Sequence, residues 1–176
     1  MVNKYNLTNI LETKYINCKS SLKLTSLDDR NSTVEDYLCN DEQLSVFDFD
    51  AIKNIVDKDS KSPDAIYIRD KNFYIVEFKN QDPCDISCNE LREKFSFAIK
   101  FFINIVKNIK DYNFIICVVY KNQGEHKNTQ RYKQGIGKKA CCTLEDTNRN
   151  EYSSFYKNII TKDVNFYKNN FKELTC

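Results

Sequence analysis

The residues best suited to chemistry lie in one short stretch of the chain. Ser62-Pro63-Asp64 opens an apolar run through Ile68, a polar turn Arg69-Asp70-Lys71-Asn72 follows, and a second run from Phe73 closes on Glu77-Phe78-Lys79. Both runs are rich in Ile, Val, Tyr and Phe, which suits a pleated surface, and the turn between them fits a hairpin although it lacks an Asn-Gly or Asp-Gly pair. Side chains alternate along a strand, so Glu77 and Lys79 share one face while Phe78 takes the other. Pro63 gives no N–H to a ladder and suits a strand start, which places Asp64 where the first strand begins. If the two strands pair, Asp64, Glu77 and Lys79 converge at one end of a small sheet. Two carboxylates there are oxygen ligands for a hard cation, Mg²⁺ or Mn²⁺, and the C=O of Phe78 is a candidate to complete the shell. Such an ion activates water and offsets charge at phosphorus, with Lys79 as a point charge for the water or the phosphate. The expected activity is a metal-dependent nuclease that hydrolyses phosphodiester bonds in DNA or RNA.

Pro63-Asp64, thirteen residues and then Glu77-Phe78-Lys79 resembles the signature of the PD-(D/E)XK nuclease superfamily. The resemblance is sharp over residues 62–81 and extends in order of elements from about 32 to 121. It implies a restriction-endonuclease-like core, an α/β fold with a small mixed sheet flanked by helices in α-β-β-β-α-β order. It also implies one or two Mg²⁺ ions on the Asp and Glu, a Lys that assists the attacking water, and often a further acid from a helix before the first strand. Glu35 is the candidate for that acid, with Asp36, Glu42 and Glu12 as alternates. Glu35 also closes the Ser32-Thr33-Val34-Glu35 capping box, which predicts a helix from about Thr33 to just before Ser45.

The other elements position these residues. Leu44 to Phe49 alternates apolar with polar and predicts the first strand, and Asp50 is a fair N-cap for a short helix through Ile52, Ile55 and Val56. Over residues 89–110, Leu91, Phe95, Ala98, Phe102, Ile105 and Ile109 recur at helical spacing, widened by Phe97, Ile99 and Phe101 into a stripe buried on more than one side. The first turns of that helix carry Glu90, Arg92, Glu93 and Lys94, and Lys94 or Arg92 is expected to face the metal end. Phe114 to Tyr120 predicts a central strand. Gln81 keeps the parity of Glu77 and Lys79 and is a candidate substrate contact. Residues 151–171 are expected to form one or two closing helices.

Charge divides the chain. Residues 1–120 carry sixteen basic and nineteen acidic side chains, and residues 121–176 carry eleven and six. A basic flank beside an acidic metal end suits a phosphodiester backbone, and Lys127, Arg131, Lys133, Lys138 and Lys139 around Gly135-Ile136-Gly137 are the candidate phosphate contacts. The 176 residues fit a single nuclease-like domain, core about 32–121 with a basic extension over 122–176. Small size favours a homodimer or one subunit of a larger nucleic-acid-processing assembly.

Neither a signal peptide nor a long uncharged apolar run is visible, so an intracellular protein without a membrane partner is expected. The eight cysteines lack any Cys-x-x-Cys pair; reduced, mostly buried thiols fit them better than an iron–sulfur cluster on Cys84, Cys88, Cys141 and Cys142. His126, the single histidine, is read as solvated. The other function classes are a non-cutting module that binds nucleic acid or protein, and a structural subunit.

Overall fold

The computed structural model describes residues 6–28, 35–81, 86–121, 143–174 and 176. The chain forms a mixed six-stranded sheet with helices on both faces. In chain order the elements are α1 (Leu7–Lys14), β1 (Lys19–Ser21), α2 (Leu22–Thr25), β2 (Leu27–Asp28), β3 (Asp36–Tyr37), β4 (Ser45–Asp48), α3 (Phe49–Val56), β5 (Ala65–Arg69), β6 (Asn72–Lys79), α4 (Cys88–Ile105), β7 (Asn113–Tyr120), α5 (143–150), β8 (Tyr156–Asp163) and α6 (Val164–Asn170). The sheet runs β1-β4-β5-β6-β7-β8, antiparallel from β1 to β6 and parallel from β6 to β8, while β2 and β3 form a separate two-stranded ribbon.

The hairpin of β5 and β6 turns on two residues, since Arg69 faces Asn72. Asp70 takes the left-handed conformation at φ 56°, which an aspartate tolerates better than most residues and which stands in for the missing glycine. Alternation then sorts β6 cleanly. Phe73 and Ile75 enter the core beneath α4, whereas Tyr74, Val76 and Phe78 enter the opposite core with Cys117, Val119 and Tyr167. Glu77 and Lys79 therefore continue the α4 side of the strand.

Helix α4 starts on Ser87, whose hydroxyl accepts from the Glu90 N–H, and buries Leu91, Phe95, Phe97, Ala98, Phe101 and Phe102. Each large apolar side chain so buried contributes about 1.5–3 kcal/mol. Phe102 packs on Phe114 of β7 with ring centroids 4.7 Å apart and on Phe49 of α3 at 6.0 Å, tying helix, sheet and α3 together. The buried stripe of α4 begins at Leu91, one turn into the helix, so Glu90 precedes it and Lys94 leaves its first turn toward Glu77.

Three expectations change. Between residues 35 and 44 the chain is not helical: Asp36 and Tyr37 pair with β2, and Leu38 and Cys39 are buried. The Cys39 N–H donates to Ser26 Oγ at 3.0 Å, so burial and cross-chain bonding override the local capping pattern; Ser32 and Thr33 lie outside the described residues. The N-cap of α3 is Asp48, which accepts from the Ala51 N–H at 2.8 Å, and Asp50 moves into the first turn. Residues 156–163 form strand β8 and not a closing helix, with only α6 helical after it. Opposite β8, Phe114 faces Tyr156 but Ile115 faces Asn158, so Lys157 is an extra residue. That bulge leaves Tyr156 and Ile159 both buried three positions apart, a spacing that imitates a helix.

No helix among the described residues is long and apolar enough to cross a membrane. Among the described residues Cys18, Cys39 and Cys117 are buried and Cys88 and Cys176 are half-buried, while Cys84, Cys141 and Cys142 lie outside the described residues.

Candidate active site

Asp64 precedes β5 but already belongs to its ladder. Its N–H donates to the Val76 carbonyl at 3.0 Å and its own carbonyl accepts from the Phe49 N–H at 3.0 Å. Since Ala65 pairs with Val76, Asp64 stands across from Glu77. The carboxylate is steered from the same strand: the Phe78 N–H donates to Asp64 Oδ2 at 2.5 Å.

Glu77 is fully buried and touches two ammonium groups. Lys94 of α4 donates to Glu77 Oε1 at 2.7 Å and Oε2 at 2.9 Å and lies 3.6 Å from Asp64 Oδ1. Lys79 sits 2.9 Å from Glu77 Oε1 and 2.7 Å from Glu90 Oε1. Three carboxylates and two ammonium groups thus interlock at the junction of β5, β6 and the N-terminal turns of α4. Burial pushes the Asp64 carboxyl well above its ordinary value, reinforced by Glu77 and opposed by Lys94 and the Phe78 N–H. Burial likewise raises Glu77 against the pull of Lys94 and Lys79. Burial alone would lower both lysines; the Glu77 carboxylate, joined by Glu90 at Lys79 and by Asp64 at Lys94, outweighs it and holds both above their ordinary range. Both are therefore ammonium groups at neutral pH.

This cluster forms the floor of a cleft of about 530 Å³ that Asp48, Asp50 and Gln81 also line, a size suited to a small polar ligand or one segment of a polymer. Asp50 is steadied by the buried Ser62 hydroxyl at 2.5 Å. At the mouth, Asn80 donates to Asp28 at 2.8 Å and to Asp36 at 2.9 Å, and Lys121 reaches Asp36 at 2.9 Å, fastening the β2–β3 ribbon beside the ends of β6 and β7.

The structure brings together Asp64, Glu77, Lys79, Lys94 and Gln81 of the candidates read from sequence. It does not bring Glu35, which is exposed, accepts from the Tyr37 hydroxyl at 2.8 Å and is absent from the cleft lining. The acids contributed by α3 and its cap are Asp50 and Asp48. Glu42 pairs with Lys23 and Glu12 with Lys19, both away from the cleft. Arg92 turns toward Glu151, 2.6 Å away, leaving Lys94 as the residue of that pair in the site. Lys127, Arg131, Lys133, Lys138 and Lys139 lie outside the described residues. Glu90 was not singled out from sequence as a site carboxylate, although its place four residues before Lys94 puts both on one helix face.

Among the described residues no group of three His, Cys, Asp or Glu side chains gathers as an all-protein metal cage. Mg²⁺ does not require one, because it keeps water and is held by one or two carboxylates together with substrate phosphate. Asp64 and Glu77, both within ion-pair reach of a single cationic centre, are a donor set that fits it. Comparison with protein-family models, with curated proteins and with solved structures found no match.

Proposed function

We propose that the chain is a Mg²⁺- or Mn²⁺-dependent nuclease that hydrolyses phosphodiester bonds in DNA or RNA. The observation that carries the reading is the meeting of Asp64 and Glu77 around one ammonium at the end of the sheet, with Lys79 beside them. The strand order supports it in part: antiparallel β4-β5-β6, then α4, then β7 parallel to β6, follows the β-β-β-α-β portion of the order that a restriction-endonuclease-like core implies, with α3 inserted between β4 and β5 and no helix over residues 35–44. Asp64 and Glu77 are the proposed ligands and the Phe78 carbonyl a third oxygen. A divalent cation bound there supplies a water of lowered pKa and offsets charge developing on phosphorus.

The chain's own groups do the rest. The Phe78 N–H aims Asp64, so this ligand need not be ordered when substrate arrives. Lys79 is held protonated between Glu77 and Glu90, so it acts as a fixed positive charge toward water or phosphate and not as a general base. Gln81 is the proposed hydrogen-bonding contact at the cleft wall. The basic residues Lys127, Arg131, Lys133, Lys138 and Lys139 are the proposed grip on the backbone. A homodimer, or a place in a larger assembly, would extend the recognition surface of so small a domain.

The test is cleavage of single- and double-stranded DNA, branched DNA and RNA with and without Mg²⁺ or Mn²⁺. Asp64→Asn and Glu77→Gln conserve volume and should each reduce metal-dependent cutting about a hundredfold or more. Cutting that persists in Glu77→Gln would remove this site from the reaction. A second reading has one observation in its favour: the lysines already neutralise much of the carboxylate cluster internally, as in a module that binds without cutting. Nucleic-acid binding with no cleavage of any substrate would select it.

A further inference from the structure

Lys94 occupies the position that a cation shared by Asp64 and Glu77 would take. Its ammonium spans both Glu77 oxygens at 2.7 and 2.9 Å and reaches Asp64 at 3.6 Å. A divalent ion on the same oxygens would face that ammonium across a few ångströms of poorly solvated space, and like charges so placed repel strongly. The two cations therefore compete for one pair of carboxylates.

We propose that Lys94 is a resident counter-ion of the Asp64–Glu77 pair, displaced when a divalent metal loads. The inference rests on the metal-dependent reading above. An alternative partner for the displaced ammonium is built into α4. Glu90 lies four residues earlier on the same helix face, an arrangement in which Glu followed by Lys is favourable; it lines the cleft, and its carboxylate, which already holds Lys79 through Oε1 at 2.7 Å, has a second oxygen to offer. The Lys94 side chain is 14 % exposed and lines the cleft with Glu77, Asp64 and Glu90, so the swing needs no opening of the aromatic core. In the metal-free protein Lys94 keeps the buried Glu77 paired; in the loaded protein it stands beside Glu90, facing the substrate phosphate. Lys94 is thus a positioning residue that couples metal loading to a change in the cleft wall.

The experiment measures Mn²⁺ binding by calorimetry and thermal melting on intact wild-type protein and on Lys94→Met, which keeps an unbranched side chain one atom shorter and removes the charge. Removing the competitor should tighten Mn²⁺ binding by about 5- to 150-fold, the usual span of coupling between two ligands. The metal-free variant should melt below wild type, and Mn²⁺ should raise its melting temperature by more than it raises that of wild type. Equal or weaker Mn²⁺ binding in Lys94→Met overturns the inference and leaves the nuclease reading standing. No Mn²⁺ binding by either protein overturns both. Should Lys94→Met fail to fold, wild-type protein labelled with ¹³C at lysine decides, with the Lys94 signal assigned by Lys94→Arg. A Lys94 resonance that shifts with the same saturation as Mg²⁺ binding supports displacement, and one that stays fixed while Mg²⁺ binds overturns it.

Discussion

A carboxylate taken out of water costs several kcal/mol unless charged and hydrogen-bonding partners surround it. Glu77 has no exposed surface and meets two ammonium groups, so its folded state depends on residues from two different elements. Asp64 is the less well compensated partner: its one cationic contact among the described residues is 3.6 Å away, while burial and Glu77 both push its carboxyl upward. Removing a cation from Glu77 and removing the charge of Asp64 should therefore change stability with opposite signs. Lys79→Met leaves Glu77 with Lys94 alone and Glu90 without its lysine, and should cost about 3 kcal/mol, the lower end for breaking a buried pair. Asp64→Asn removes a poorly paired charge while its side-chain oxygen still accepts from the Phe78 N–H, and should stabilise the protein by about 1 kcal/mol as it abolishes the proposed chemistry. Urea unfolding of both variants at pH 7 checks the pair. Loss of stability in Asp64→Asn comparable to that in Lys79→Met would mean that the Asp64 charge is structural.

Strand β8 depends on α5 for its start. Buried Asn148 holds Tyr156 at both backbone groups, accepting from its N–H at 3.0 Å and donating to its carbonyl at 2.7 Å, while the Tyr156 hydroxyl donates to the Phe95 carbonyl at 2.7 Å. Asn148→Ala orphans two buried backbone groups, each worth about 1–3 kcal/mol when left unmade, and should destabilise the protein by about 2–4 kcal/mol. Hydrogen exchange should show the loss concentrated in 156–160, and uniform loss across the sheet would argue against a local clamp. Such a contact carries no periodic signal, which explains what could and could not be read from the chain. Helix α4 was legible from its helical period, and strands β5, β6 and β7 from apolar runs rich in Ile, Val, Tyr and Phe. So was the meeting of Asp64, Glu77 and Lys79, because parity along paired strands dictates it. Strands β1, β2 and β3 span only two or three residues and leave no period to detect. At β8 the extra residue Lys157 breaks the alternation. The Ser32–Glu35 capping pattern predicts a helix that residues 35–44 do not form, because burial of Leu38 and Cys39 and the pairing of Asp36 and Tyr37 hold them in non-helical chain. Lys94 was anticipated at the site, but its part as the shared cation of two carboxylates depends on how α4 packs over the sheet.

At the scale of the whole molecule, ionisation and charge distribution set two further expectations. Burial raises the hydroxyls of Tyr120 and Tyr152 to about 12, raises those of Tyr156 and Tyr167 well above the ordinary tyrosine value, and raises the Cys117 thiol to about 12. Each group keeps its proton longer in the folded state than in the unfolded one. Its contribution is thus complete below the unfolded pKa, near 10 for tyrosine, and is lost as pH rises through the folded value. Stability should fall steeply between pH 10 and 12, with the last part of the tyrosinate absorbance rise coinciding with loss of circular dichroism; completion of the absorbance rise of all eleven tyrosines at fixed structure would mean that the buried rings are accessible. The second expectation concerns nucleic acid. The cleft floor is lined by Asp48, Asp50, Asp64, Glu77 and Glu90 against Lys79 and Lys94, an excess of negative charge that repels a phosphodiester unless cations compensate it. The proposed metal compensates locally, but affinity along a polymer requires basic groups elsewhere, and residues 121–176 supply eleven basic against six acidic side chains. If Lys138 and Lys139 each neutralise a phosphate, replacing both with Ala should weaken binding to all sequences alike and reduce the log–log salt slope by about one to two units. Filter binding of catalytically silent Glu77→Gln across a salt series, with and without the double substitution, isolates this contribution from cutting. An unchanged slope would remove these two lysines from the interface and transfer the grip to other basic side chains of the chain.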